Sequence, residues 1–156
     1  MFFEELQKRV AEKNVLILGV GDRQRGDHGV GSILVERLIE KQLDLPLIDA
    51  GDVPENFLKP IETSGADLVL VIDAADLGGQ PGDISLLELN TLKQFGVATH
   101  TVNLGLLFRV IPKSRRPDVL LLAIQPEITE AGLGLSRSVD IAMKGLEKLL
   151  LQLFKE

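Results

Sequence analysis

The sequence predicts an α/β fold: a single domain with a mostly parallel, twisted sheet of about five strands, covered by helices on both faces. Three observations predict it. The apolar runs "VLILGV" (15–20), "LVLVI" (68–72) and "VLLLAI" (119–124) are continuous, as in strands buried on both faces. Between them lie longer stretches with apolar residues on one helical stripe. Glycines and acids gather where the first and third runs end. Alternating strand and helix units of this kind imply a parallel sheet. At 156 residues the chain is expected to form one domain, 1–156. A chain of that length buries roughly 70% of its extended-chain surface and needs no staple.

Each element follows in order. Residues 4–12 alternate apolar and charged residues and predict a short amphipathic helix. Residues 15–20 are the first strand, followed by the glycine-rich turn "GVGDRQRGDHGVG" (19–31). Val30, Ile33, Leu34, Leu38 and Leu43 lie mostly on one stripe of a helix over 28–43. "LPLIDAG" (45–51) is a second strand, and "VPENFLKPIETS" (53–64) a short helix expected to break at Pro60. "ADLVLVIDAAD" (66–76) is the third strand and ends in acids. Pro81-Gly82 breaks the chain before an edge strand whose contacts come from Ile84 and Leu86 or Leu87. A loop then carries His100, and 101–112 reads as a helix stopping before Pro112. "DVLLLAIQP" (118–126) is the last strand. Val139, Ala142, Met143, Leu146, Leu149, Leu150 and Leu153 form a broad apolar face on a long helix, 135–154. In this architecture ligands bind beyond the carboxyl ends of the strands. The stretches to watch are therefore 19–28, 49–52, 73–76 and 125–127.

Composition removes several function classes. The net charge is −6, from 17 Lys and Arg against 23 Asp and Glu, and the one basic cluster is "KSRRP" at 113–117. A nucleic-acid partner is not expected, because the electrostatic driving force is missing. Six Phe with no Trp or Tyr give little surface for stacking bases or sugars. The absence of Cys excludes disulfides, thiolate metal sites and cysteine nucleophiles. No apolar run approaches the roughly 20 residues of a membrane span, and the N-terminus lacks a secretory apolar region. A cytoplasmic protein with no membrane partner is expected.

The glycine turn looks at first like a phosphate cradle. The spacing Gly19, Gly21, Gly26 fails the dinucleotide fingerprint. Gly21 and Gly26 have P-loop spacing, but Asp27-His28 stands where Lys-Ser/Thr is needed, and an aspartate there repels phosphate. A nucleotide-binding α/β module is the weaker reading. A metal suits the residues better. The two histidines, His28 and His100, and Asp73 converge if strands one and three are neighbours. Two imidazoles and a carboxylate fit a first-row transition metal with open positions. Each alone has a plainer reading: a surface histidine, or an aspartate such as Asp27 or Asp76 capping the next helix.

The segments "LILGVGDRQRGDHGVG", "IDAGDVPEN", "VIDAADLGGQPGDI", "THTVNLGLL" and "LLAIQPEI" resemble, in order and spacing, the hydrogenase maturation endopeptidases. The resemblance covers nearly the whole chain and is closest to the branch that processes formate-hydrogenlyase-type subunits. It implies an endopeptidase that removes a C-terminal extension from the large-subunit precursor of nickel-iron hydrogenase after nickel is inserted. The partner is that precursor, and nickel is presented by the substrate, with another divalent transition metal as an alternative. The family's metal-contacting and catalytic positions fall on His28, Asp73 and His100. Asp73 and His100 match the family; His28 stands where an Asp or Glu is usual. Asp27 matches the acid that commonly precedes it, and Asp22 replaces the usual Asn. A site with His28 loses one negative charge, which shifts its preference toward nickel, copper or zinc. Asp27 turning inward would compensate. A relative that binds the nickel-loaded precursor without cutting it, and an endopeptidase for another nickel protein, remain alternatives. Of the other residues at this edge, Asp49 and Glu127 have no assigned role. Pro54 fits the first position of a helix. The oligomeric state is not legible.

Overall fold

The computed structural model describes residues 2–89, 100–127, 129–132 and 134–155. The helices are α1 (Phe2–Val10), α2 (Val30–Glu40), α3 (Leu58–Thr63), α4 (His100–Leu107) and α5 (Arg137–Phe154). The strands are β1 (Val15–Val20), β2 (Leu47–Gly51), β3 (Leu68–Ala74), β4 (Ile84–Glu88) and β5 (Asp118–Ile124). They form one sheet in the order β2-β1-β3-β5-β4. The first four strands of that order run parallel, and β4 is antiparallel to β5. The expected α/β fold, with β1 and β3 as neighbours and an edge strand after Pro81-Gly82, is the observed one.

Burial explains the continuous apolar runs. Every residue of β1 and β3 is buried. Because side chains alternate along a strand, each run feeds two cores. Ile17, Leu70, Ile72 and Leu122 pack with Leu34 and Leu38 of α2 and Met143, Leu146 and Leu150 of α5. Leu16, Leu18, Val69, Val71 and Leu121 pack with Ile61 of α3 and Leu104 of α4. Each such buried side chain contributes about 1.5–3 kcal/mol, so helices are held on both faces. On β4, Ile84 and Leu86 face the first core and Leu87 the second.

The differences from expectation are local. The 53–64 segment is not one helix broken at Pro60. It is a 3-10 turn, Pro54–Phe57, followed by α3. Pro60 sits in the first turn of α3, where a missing N–H costs nothing because those donors have no helical partner. Pro54 does open its turn as the first-position proline. Helix α2 starts at Val30 rather than 28, because Gly26–Gly29 form a 3-10 turn. His100 is not in a loop but lies in α4. That helix ends at Leu107 and tightens into a 3-10 turn, Phe108–Val110. No helix among the described residues is long and apolar enough to cross a membrane.

Candidate active site

The site edge is built where β1 and β3 end. After β1 the chain folds back sharply at Gly21 (φ 149°), where a Cβ would collide with the carbonyl oxygen of His28. Ten residues on, a Cβ at Gly31 would collide with the carbonyl oxygens of Ile72 and Val20. The first turn of α2 therefore rests directly on the backbone just before Asp73. These two close approaches carry the Gly26–Gly29 turn, and with it His28, against the end of β3. His28 is half-buried there, its N–H donating to the Arg25 carbonyl at 3.1 Å.

Asp73 is 2% exposed, in a strand buried along its whole length. Burial pushes its carboxyl well above the ordinary range, and a hydrogen bond from the Ala74 backbone opposes this only in part. Desolvation disfavours the charged form, so this carboxyl takes up a proton readily unless a cation arrives. Helix α4, which carries His100, packs on the Pro54–Phe57 turn, and that turn leaves the same edge of the sheet after β2. The side chain of His100 lies outside the described residues. Among the described residues, no three His, Asp or Glu side chains cluster as a metal set.

Asp27 does not turn toward this edge to replace the missing acid, and it does not cap α2. It is fully buried. Its Oδ2 accepts from the Glu127 N–H at 2.8 Å and from the Ser136 hydroxyl at 2.8 Å, and its Oδ1 from the Ser136 N–H at 2.7 Å. Asp76 likewise caps no helix. Its Oδ1 accepts from the Gly78 N–H and from Nε2 of Gln125, and the Gln125 bond, then the Gly78 bond, lower its pKa. Gln125 also accepts from the Leu77 and Gly79 N–H groups, at 2.8 and 3.1 Å, so one amide organises the turn after β3.

An open depression of about 510 Å³ lies between the ends of β1 and β2, with Val53 and Phe57 among its walls. Asp49 at its floor is not a bare acid. Arg23 donates to it at 2.8 Å, and the Ser32 hydroxyl donates at 2.6 Å. Arg23 also bonds Glu36. Partial burial weakens the guanidinium's hold on its charge, but Glu36 and Asp49 outweigh it and raise its pKa. The sequence singled out neither Arg23 nor Ser32, because their partners are Asp49 and Glu36 on other elements. The roles of Gln125 and Ser136 are equally non-local.

A glycine turn that carries His28 to a buried acid at the end of the third strand narrows the comparison. The model of the hydrogenase maturation protease family (HycI) matches residues 30–153. The chain belongs to the hydrogenase maturation protease family. The hydrogenase 3 maturation protease of Escherichia coli K12 is 31% identical over 115 residues, covering 72% of this chain and 73% of its own. The crystal structure of the [NiFe] hydrogenase maturation protease HycI from Thermococcus kodakarensis KOD1 superposes with a TM-score of 0.85 at 28% identity. It covers 97% of this chain and 99% of that one. The solution structure of the Escherichia coli endopeptidase HycI shares the fold, with a TM-score of 0.74, 24% identity, and 86% and 87% coverage. Membership makes the protein a peptide-bond hydrolase of hydrogenase maturation.

Proposed function

We propose that this protein removes the C-terminal extension of a nickel-iron hydrogenase large-subunit precursor, and that the nickel it meets is carried by that substrate. The observation that supports this best is the buried Asp73 carboxyl, with the His28 turn packed on its strand end. A carboxyl whose charged form burial disfavours suits a site that receives a cation with its substrate, because a nearby positive charge restores the ionised form. The donor set His28, Asp73 and His100, two imidazoles and one carboxylate, fits nickel or a related divalent transition metal. A metal near the scissile carbonyl supplies Lewis-acid polarisation or an activated water.

The chain's own part is positioning and proton transfer. Water adds to the scissile carbonyl carbon, the C–N bond breaks, and the departing amine takes up a proton. Asp73, whose protonated form burial favours, exchanges a proton with that water or amine in this reading, and the His28 imidazole is the second proton carrier. The depression walled by Val53 and Phe57 is where the peptide beside the scissile bond fits.

The test is mass spectrometry of a nickel-loaded large-subunit precursor incubated with the protein. Loss of a short C-terminal peptide that requires nickel, Asp73 and His100 is the expected result. A precursor left intact but co-purifying would mean a binding checkpoint, the reading that the His28 replacement favours. A precursor neither cut nor bound would overturn the reading.

A further inference from the structure

We infer that Asp27 is a positioning residue for the reaction: its carboxylate clamps the turn that carries His28 to the segment joining β5 to α5. This rests on the protease reading above. Asp27 is fully buried, and three donors from described residues reach it, each at least 100 positions away in sequence. The donors come from both ends of the joining segment, Glu127 just after β5 and Ser136 just before α5. Ser136 extends the link, since its hydroxyl also accepts from the Val139 N–H at 3.4 Å and caps α5. A separate bond, Gly132 N–H to the Gln24 carbonyl at 2.8 Å, ties the same two segments. By contrast, the Gly26–Gly29 turn has no side-chain cap of its own. A four-residue 3-10 turn holds itself weakly, so the clamp acts with the Gly21 and Gly31 close approaches to fix where His28 sits relative to Asp73.

The chemistry requires a carboxylate. Both oxygens accept, and two of the three donors are backbone N–H groups that cannot rotate away. In an Asn, the carbonyl serves one of those N–H groups and the NH2 then faces the other, donor against donor. A glutamate keeps both acceptors but lengthens the stem by one methylene and displaces the turn. Catalytic groups need placement to within roughly 0.5 Å, and a 1 Å misplacement costs on the order of 100-fold.

The experiment compares wild type, Asp27→Asn, Asp27→Glu and Leu6→Ala on the nickel-loaded precursor, below the unfolding transition of each. Leu6→Ala truncates a buried core residue of α1, which takes no part in the clamp, so it controls for stability. Asp27→Asn and Asp27→Glu are expected to lose at least about 10-fold in kcat with KM changed less than about 3-fold, while Leu6→Ala keeps kcat within about 3-fold. The imidazole NMR signals of His28, assigned with His28→Gln and His100→Gln, are expected to shift or broaden in both Asp27 variants but not in Leu6→Ala. If Asp27→Asn does not fold, Asp27→Glu carries the test. Unchanged kcat and His28 signals in the Asp27 variants would overturn the proposal. So would losses that merely track stability across all three variants. A wild type that leaves the precursor intact is a failure of the protease reading; the His28 signals, which need no substrate, still decide the clamp.

Discussion

Two aspartates at one edge of the sheet are both hidden from solvent, and their surroundings are opposite. Asp27, in the turn after β1, is met by three donors. Asp73, at the end of β3, has burial working against its charge and a single backbone hydrogen bond in its favour. A buried acid that is well supplied with donors fastens structure; one that is left short is available for chemistry. The contrast shows that an aspartate at a strand end acquires its role from what the fold brings to it.

The sharpest way to break this contrast is to remove each acid in turn. Asp73→Ala is expected to slow precursor processing at least 100-fold, measured by the mass of the precursor over time. Normal processing would return Asp73 to a packing role. Next in size is the stability of Asp27→Asn, which leaves a buried N–H facing a donor and is expected to lose roughly 3 kcal/mol in urea unfolding. A loss smaller than that of Asp73→Asn would reverse the assignment.

Gly31 tests the spacing between the two acids. Gly31→Ala forces the first turn of α2 off the Ile72 and Val20 carbonyls. It is expected to cost about 1–3 kcal/mol and to slow processing as His28 moves from the β3 end. An alanine accepted at full stability and rate would show that the close approach is dispensable.

The smallest expected effect has a definite sign. The folded-state pKa of Asp73 is raised, so its contribution to stability is fully present below the unfolded value near 3.8. It is lost as pH rises through the folded value. In metal-free protein, Asp73→Asn is therefore expected to melt a few degrees above wild type at pH 7, at about 2–4 °C per kcal/mol. The gap should close as pH falls toward 4. A gap that widens in acid would mean that Asp73 is held ionised.

The parts of the fold legible in the sequence are those set by neighbours along the chain. The runs of β1, β3 and β5 declare burial on both faces, and Pro81-Gly82 marks the edge strand β4. The 53–64 helix was harder because proline is read as a breaker, although in the first turn of α3 it breaks nothing. At the site, Asp73 was legible because a lone acid ends an apolar run. The work of Asp27 was not, because its donors at 127 and 136 are joined to it only by the closed sheet. Gln125 and the Arg23–Ser32–Asp49 bonds were hidden for the same reason.

The strand order also governs how the molecule is assembled. β3 lies between β1 and β5, so its two flanks come from segments near residues 15–19 and 118–124. Pairings this distant in sequence close large loops before they yield contacts, which makes folding slow. A chain growing from its N-terminus can dock β3 on β1 early, but β3 stays an open edge until residue 124 has been made. The Asp73 end thus stays exposed until β5 has been made, and the enzyme closes around its acid only when that strand docks.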